Sequence, residues 1–80
     1  MATEHERYLR KARESLASAQ ADVRARRSNS AANRAYYAAF QAAVAALIQH
    51  DIRPTGNWEH EFVANRFSGK LVWRMNIIKL

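Results

Sequence analysis

Eighty residues carry a net charge of +6 and no cysteine. That excludes disulfides, thiolate metal sites and cysteine nucleophiles together, and it leaves room for one small domain, residues 1–80. A chain of this size buries only about 60 % of its unfolded surface, so it leans on a partner subunit or another staple for stability. The first residues, Met-Ala-Thr-Glu-His-Glu-Arg, hold no apolar run, and no stretch reaches the length of a membrane span. The sequence therefore predicts a cytoplasmic protein without a membrane partner.

The basic excess is spread along the chain. Residues 1–27 carry seven Lys/Arg against four Asp/Glu, residues 28–50 carry only Arg34, and residues 51–80 carry five against three. The one dense cluster is Arg24, Arg26 and Arg27. Such a cluster suits either nucleic acid or the cation-favouring C-terminus of a helix.

Glycine and proline occur only at Pro54, Gly56 and Gly69, so everything before Pro54 can be long helix. The first helix is expected from Thr3 to about Arg27. Leu9, Ala12, Leu16, Ala19 and Val23 step by 3, 4, 3 and 4, and form the expected inward stripe. Glu6–Arg10, Arg10–Glu14 and Asp22–Arg26 stand at i,i+4 as expected charge pairs. Ser28-Asn29-Ser30 is expected to be a tight link with Ser30 as N-cap, which makes the two helices antiparallel.

The second helix, over 30–50, is apolar on nearly every side. Tyr36, Tyr37, Phe40, Val44, Leu47 and Ile48 form one arc of large side chains, with Asn33 on the same arc. Ala31, Ala32, Ala35, Ala38, Ala39, Ala42 and Ala46 cover most of the rest, and only Arg34 and Gln41 make a polar strip. The alanine arc either lets another backbone come close or is a good helix former facing water. Residues 51–57 form a loop around Pro54 and Gly56. A short third helix is expected from Trp58 to Arg66, with Asn57 as N-cap and Gly69 as its end. The tail after Lys70 is apolar and fits a helix, a strand or an arm.

The fold class is thus all-α: an antiparallel helical hairpin plus a short third helix, completed by oligomerisation. His5, His50 and His60 lie on three elements without a metal-type spacing, so no metal or other cofactor is expected. Arg53 and His60, separated by six residues, are the candidate catalytic pair. An arginine that holds phosphate and a histidine that moves a proton suffice for metal-free RNA cleavage. A solvated loop arginine and a helix-start histidine would look the same.

The run Ser30-Ala31-Ala32-Asn33-Arg34-Ala35-Tyr36-Tyr37-Ala38-Ala39-Phe40 resembles the signature of the HEPN family (higher eukaryote and prokaryote nucleotide-binding domains). Tyr8 to Leu16 resembles the family's opening helix, and looser similarity extends through Trp58-Glu59-His60 and Arg66-Phe67. The resemblance implies an up-and-down bundle of four or five helices. It implies small dimers, often paired with a minimal nucleotidyltransferase as toxin and antitoxin. Some members are metal-independent RNases with an Arg-x4-6-His motif, and others are binding modules.

Arg53-x6-His60 has the spacing of that motif, but Pro54 follows the arginine where the RNase members carry a polar residue. The pair also lies before the third helix, and the family would supply one or two helices beyond Leu80, so the chain reads as C-terminally shortened. The leading expectation is a non-catalytic module that acts by assembly, with itself or with a nucleotidyltransferase. The alternatives are an RNase using Arg53 and His60, and nucleotide or RNA binding through Arg34, Asn33, Arg24 and Arg27. Arg34 could instead be structural, paired with Glu14 across the hairpin.

Overall fold

The computed structural model describes residues 2–67, which form α1 (Glu4–Arg24), α2 (Ser28–Gln49) and α3 (His60–Asn65), with no strand among them. The two long helices make an antiparallel hairpin, and α3 packs on α2. The all-α class and the hairpin-plus-short-helix order match the expectation. The expected end at Gly69 and the tail from Lys70 lie outside the described residues.

α1 begins with a capping box. The Thr3 hydroxyl accepts from the Glu6 backbone N–H at 3.1 Å, and the Glu6 carboxylate accepts from the Thr3 N–H at 3.1 Å. The Thr3 N–H, and after it the Thr3 hydroxyl donating to the same carboxylate at 2.9 Å, hold the Glu6 carboxyl below its ordinary 4.5.

The helix ends three residues earlier than expected. Arg26 adopts φ 61°, its N–H donates to the Val23 carbonyl, and the Arg27 N–H donates to the Asp22 carbonyl at 2.8 Å. This is a Schellman ending, for which the sequence offers no glycine signal. Arg24 alone occupies the last turn, where the dipole favours a cation. Arg26 and Arg27 belong to the turn. Asp22, only 8 % exposed, pairs with Arg27 at 3.0 Å instead of with Arg26. The expected Glu6–Arg10 and Arg10–Glu14 pairs are likewise not among the ion pairs of the described residues.

α2 starts at Ser28, so Ser28, Asn29 and Ser30 are its first turn rather than a link. Its N-cap is Arg27, and Ser30 caps nothing. At the far end the same ending recurs: Asp51 has φ 58°, and the Ile52 N–H donates to the Leu47 carbonyl at 2.8 Å. Ile52 then folds back onto the core beside Leu47.

The hairpin interface is built from small residues. Ala12 and Ala19 of α1 are buried, as are Ala31, Ala38 and Ala45 of α2, spaced by seven. Ser15 and Gln41 are hydrogen-bonded across it at 2.8 Å. With its amide nitrogen toward α1, Gln41 also reaches the Lys11 carbonyl at 3.1 Å.

The expected stripe of α1 is therefore rotated. Leu16 is 50 % and Val23 65 % exposed, while Ala12, Ser15, Ala19 and Asp22 face α2. Close approach of two helix backbones needs alanines between them, and a leucine ridge there would hold the helices apart.

The core sits at the far end of α2. Val44 and Leu47 are fully buried and pack with Ile48 and Val63, surrounded by Tyr8, Phe40, Trp58, Phe62 and Phe67. α3 begins at His60, two residues later than expected, with Glu59 rather than Asn57 at its N-cap and no side-chain cap bond. Trp58 is instead used for packing, with its ring edge-on to Tyr8 at 6.4 Å and to Phe62 at 6.2 Å. The large arc of α2 is thus covered only at its C-terminal half. Tyr36 and Tyr37 remain about half exposed.

Candidate functional site

Arg53 lies in the loop after α2 and reaches back to the start of α1. Its guanidinium meets the Glu4 carboxylate at 2.5 Å, with Asp51 at 3.9 Å. The Arg53 hydrogen bond, helped by Trp58, holds the Glu4 carboxyl below its ordinary 4.5. A carboxyl depressed in the folded state stabilises the fold above its unfolded value, and that contribution is lost as pH falls through the folded value. Wild type should therefore lose more melting temperature than Arg53→Gln between about pH 5 and about pH 3. Equal losses would mean that the ion pair contributes nothing.

His60 stands at the first position of α3 and faces α2. Its Nδ1 is in hydrogen-bond contact with the Tyr36 hydroxyl. Its ring lies 4.4 Å from Phe40 and 5.2 Å from Tyr36, tilted by 36° and 41°. Tyr36, Phe40, His60, Val63 and Phe67 line an open cleft of about 240 Å³. Arg53 and His60 thus take different partners, and no hydrogen bond joins them within the chain.

Asn33 and Arg34 lie exposed on the first half of α2. Arg34 takes part in none of the ion pairs among the described residues, so the expected bridge to Glu14 is not formed. The physical reason is that the N-terminal half of α2 faces solvent on this side, where an arginine needs no partner. Arg34 and Glu14 nevertheless line one shallow polar cleft with Lys11, Ser18 and Gln41. Arg24 is exposed at the end of α1, and Arg27 is tied to Asp22 in the turn beyond it. The four candidate binding residues do not converge on one pocket.

A larger apolar groove of about 460 Å³ opens on the hairpin. Leu9, Ala12 and Leu16 of α1 form one wall, and Ala35, Ala38, Ala39 and Ala42 of α2 form the other, with Arg13 at the rim. Sequence reasoning placed Leu9 and Leu16 in the core and so missed this surface. No helix among the described residues is long and apolar enough to cross a membrane. No group of three or more histidines or carboxylates among them is placed to hold a metal ion.

The hairpin and the motif on α2 coincide with one known pattern. The family model described as HEPN domain matches residues 5–63. The chain belongs to the HEPN domain family. The match spans α1, α2 and the first turn of α3, so it takes in His60, Arg53 and the whole alanine interface. Membership supports a helical module of nucleotide-binding or RNase-like type. No curated protein and no solved structure matches the chain.

Proposed function

We propose that this HEPN protein works as an assembly module whose first partner is a second copy of itself. The alanine-floored groove carries the reading. Its ridge, Leu9 and Leu16, and its floor, Ala35, Ala39 and Ala42, lie side by side on one face. A two-fold axis through that face would set each copy's leucines over the other's alanines, which is the self-complementarity an isologous dimer requires. Leu16, half exposed in one chain, would be covered in the pair. Sedimentation at micromolar concentration tests this, and a well-folded monomer would refute it. On the family resemblance we also propose a minimal nucleotidyltransferase as a second partner, in a toxin–antitoxin-type pair. Co-expression of the two proteins checks this through their co-purification.

One observation favours an RNase as the second reading. The Tyr36 hydroxyl fixes one nitrogen of His60, and an oriented imidazole is what proton transfer to or from a ribose needs. Arg53 would then leave Glu4 to hold phosphate. On this reading wild type cleaves single-stranded RNA in EDTA, and His60→Ala loses about 100-fold or more of that activity. Equal, negligible cleavage by both proteins removes the reading.

A further inference from the structure

We infer that Arg13 of a second copy seats in the aromatic cleft around His60, so that in the pair each copy closes the other's cleft. This deepens the assembly reading and rests on it, but it concerns a surface beyond the alanine floor and has its own test.

The two apolar hollows of this chain form one continuous face. The alanine-floored groove and the cleft beside α3 share Ala39, which lines both. Across the face, from α1 to α3, stand Arg13 at the rim, the leucine wall, the alanine floor with Ala39, and then the cleft. Setting leucine over alanine requires a two-fold axis that lies in this face and runs along the helices, because that axis exchanges the two walls. The same rotation carries the outermost groups with it. Arg13, outside the leucine wall of one copy, comes over the cleft, outside the alanine floor of the other. The level along the helices agrees as well. Gln41 reaches Ser15 and, with its amide nitrogen toward α1, the Lys11 carbonyl, so Arg13 stands level with it. Phe40 and Ala43 of the cleft flank that level, and an axis along the helices preserves it.

The two surfaces are chemically complementary. The cleft is lined by rings and small apolar side chains, and no carboxylate lines it. The His60 ring lies 4.4 Å from Phe40 and 5.2 Å from Tyr36, so the ring faces are held in place before any partner arrives. A guanidinium suits such a place, because it is planar, weakly hydrated and stacks on aromatic faces. The Tyr36 oxygen, in contact with His60 Nδ1, can also accept from one of its N–H groups. Arg13 is exposed and has no ion pair among the described residues, so no bond within its own chain is given up. This chain sets cations on rings elsewhere: Lys11 stands 5.2 Å from the centre of the Tyr8 ring, and Arg66 stands 5.3 Å from that of Phe62. Leucines on an alanine floor can slide along the helices, whereas an arginine in a cleft on each side fixes the register.

Two measurements on the full chain test this together. In sedimentation velocity Arg13→Gln should weaken self-association roughly 5- to 100-fold, since both clefts lose their cation, with helix content unchanged. The chain has no cysteine, so Arg13→Cys and Ala64→Cys chains each carry a single thiol. Ala64 lines the cleft, and a short bismaleimide should join the two variants when they are mixed but neither to itself. The inference requires both results. If either is missing while the wild type dimerises and Leu16→Glu breaks the pair, the cleft has another occupant; the inference is overturned and the groove interface stands. A wild type that stays monomeric removes the assembly reading and this inference with it.

Discussion

Leu47→Ala is expected to cost about 2–5 kcal/mol of stability, read as a lower urea midpoint. Leu47 is fully buried, and its neighbours Val44, Ile48 and Val63 come from the end of α2 and from α3. Removing its branched end would leave a cavity where a six-residue helix has its main anchor. Such a short helix has little stability of its own, so α3 depends on that contact. Against a total of roughly 4–12 kcal/mol for a domain of this length, the loss approaches unfolding. Val23→Ala supplies the contrast. Val23 is 65 % exposed, and its truncation should fall within about 0.5 kcal/mol. A large effect at Val23 would restore the inward stripe that the spacing of α1 suggests and would contradict the rotated helix.

Leu16→Glu should leave the hairpin helical while weakening self-association about 100-fold or more. Leu16 is half exposed in one chain, where a glutamate is solvated and cheap. In a two-fold pair each interface would hold two such carboxylates over an alanine floor, with Arg13 only at the rim, and a buried charge without a well-placed partner costs about 3–5 kcal/mol. Circular dichroism and sedimentation on the same sample separate the two effects. Loss of helix along with association would place Leu16 in the fold rather than in the interface.

Much of the fold is legible in the sequence. The absence of proline and glycine before Pro54 marks two long helices, and Pro54 and Gly56 mark the loop. The errors have definite causes. The apolar stripe of α1 points to its largest side chains, but the surface it meets on α2 is alanine, and only small residues allow that approach. The turn comes earlier than the sequence suggests because Arg26 takes the left-handed conformation that usually shows itself as glycine. Ser30 has the residue type of a cap, yet the Schellman bonds to Asp22 and Val23 end α1 at Arg24, four residues ahead of the start of α2 at Ser28.

The candidate site was less legible for a simple reason. Tyr36 and His60 are 24 residues apart and meet only because α3 returns to α2. Local spacing linked His60 to Arg53 instead, and in the folded chain Arg53 is engaged by Glu4. The Asn33-Arg34-Ala35-Tyr36-Tyr37 run did carry information beyond helix formation. It pointed to the family, and its side chains lie on the uncovered half of α2.

The central claim is that the alanine-floored groove is an interface between two copies of this chain. Sedimentation velocity of the full chain across a micromolar concentration series tests it most directly. The expected result is a monomer–dimer equilibrium with the dimer dominant at the upper end, shifted to monomer by Leu16→Glu. A folded wild-type monomer at every concentration, sedimenting identically to Leu16→Glu, would contradict it.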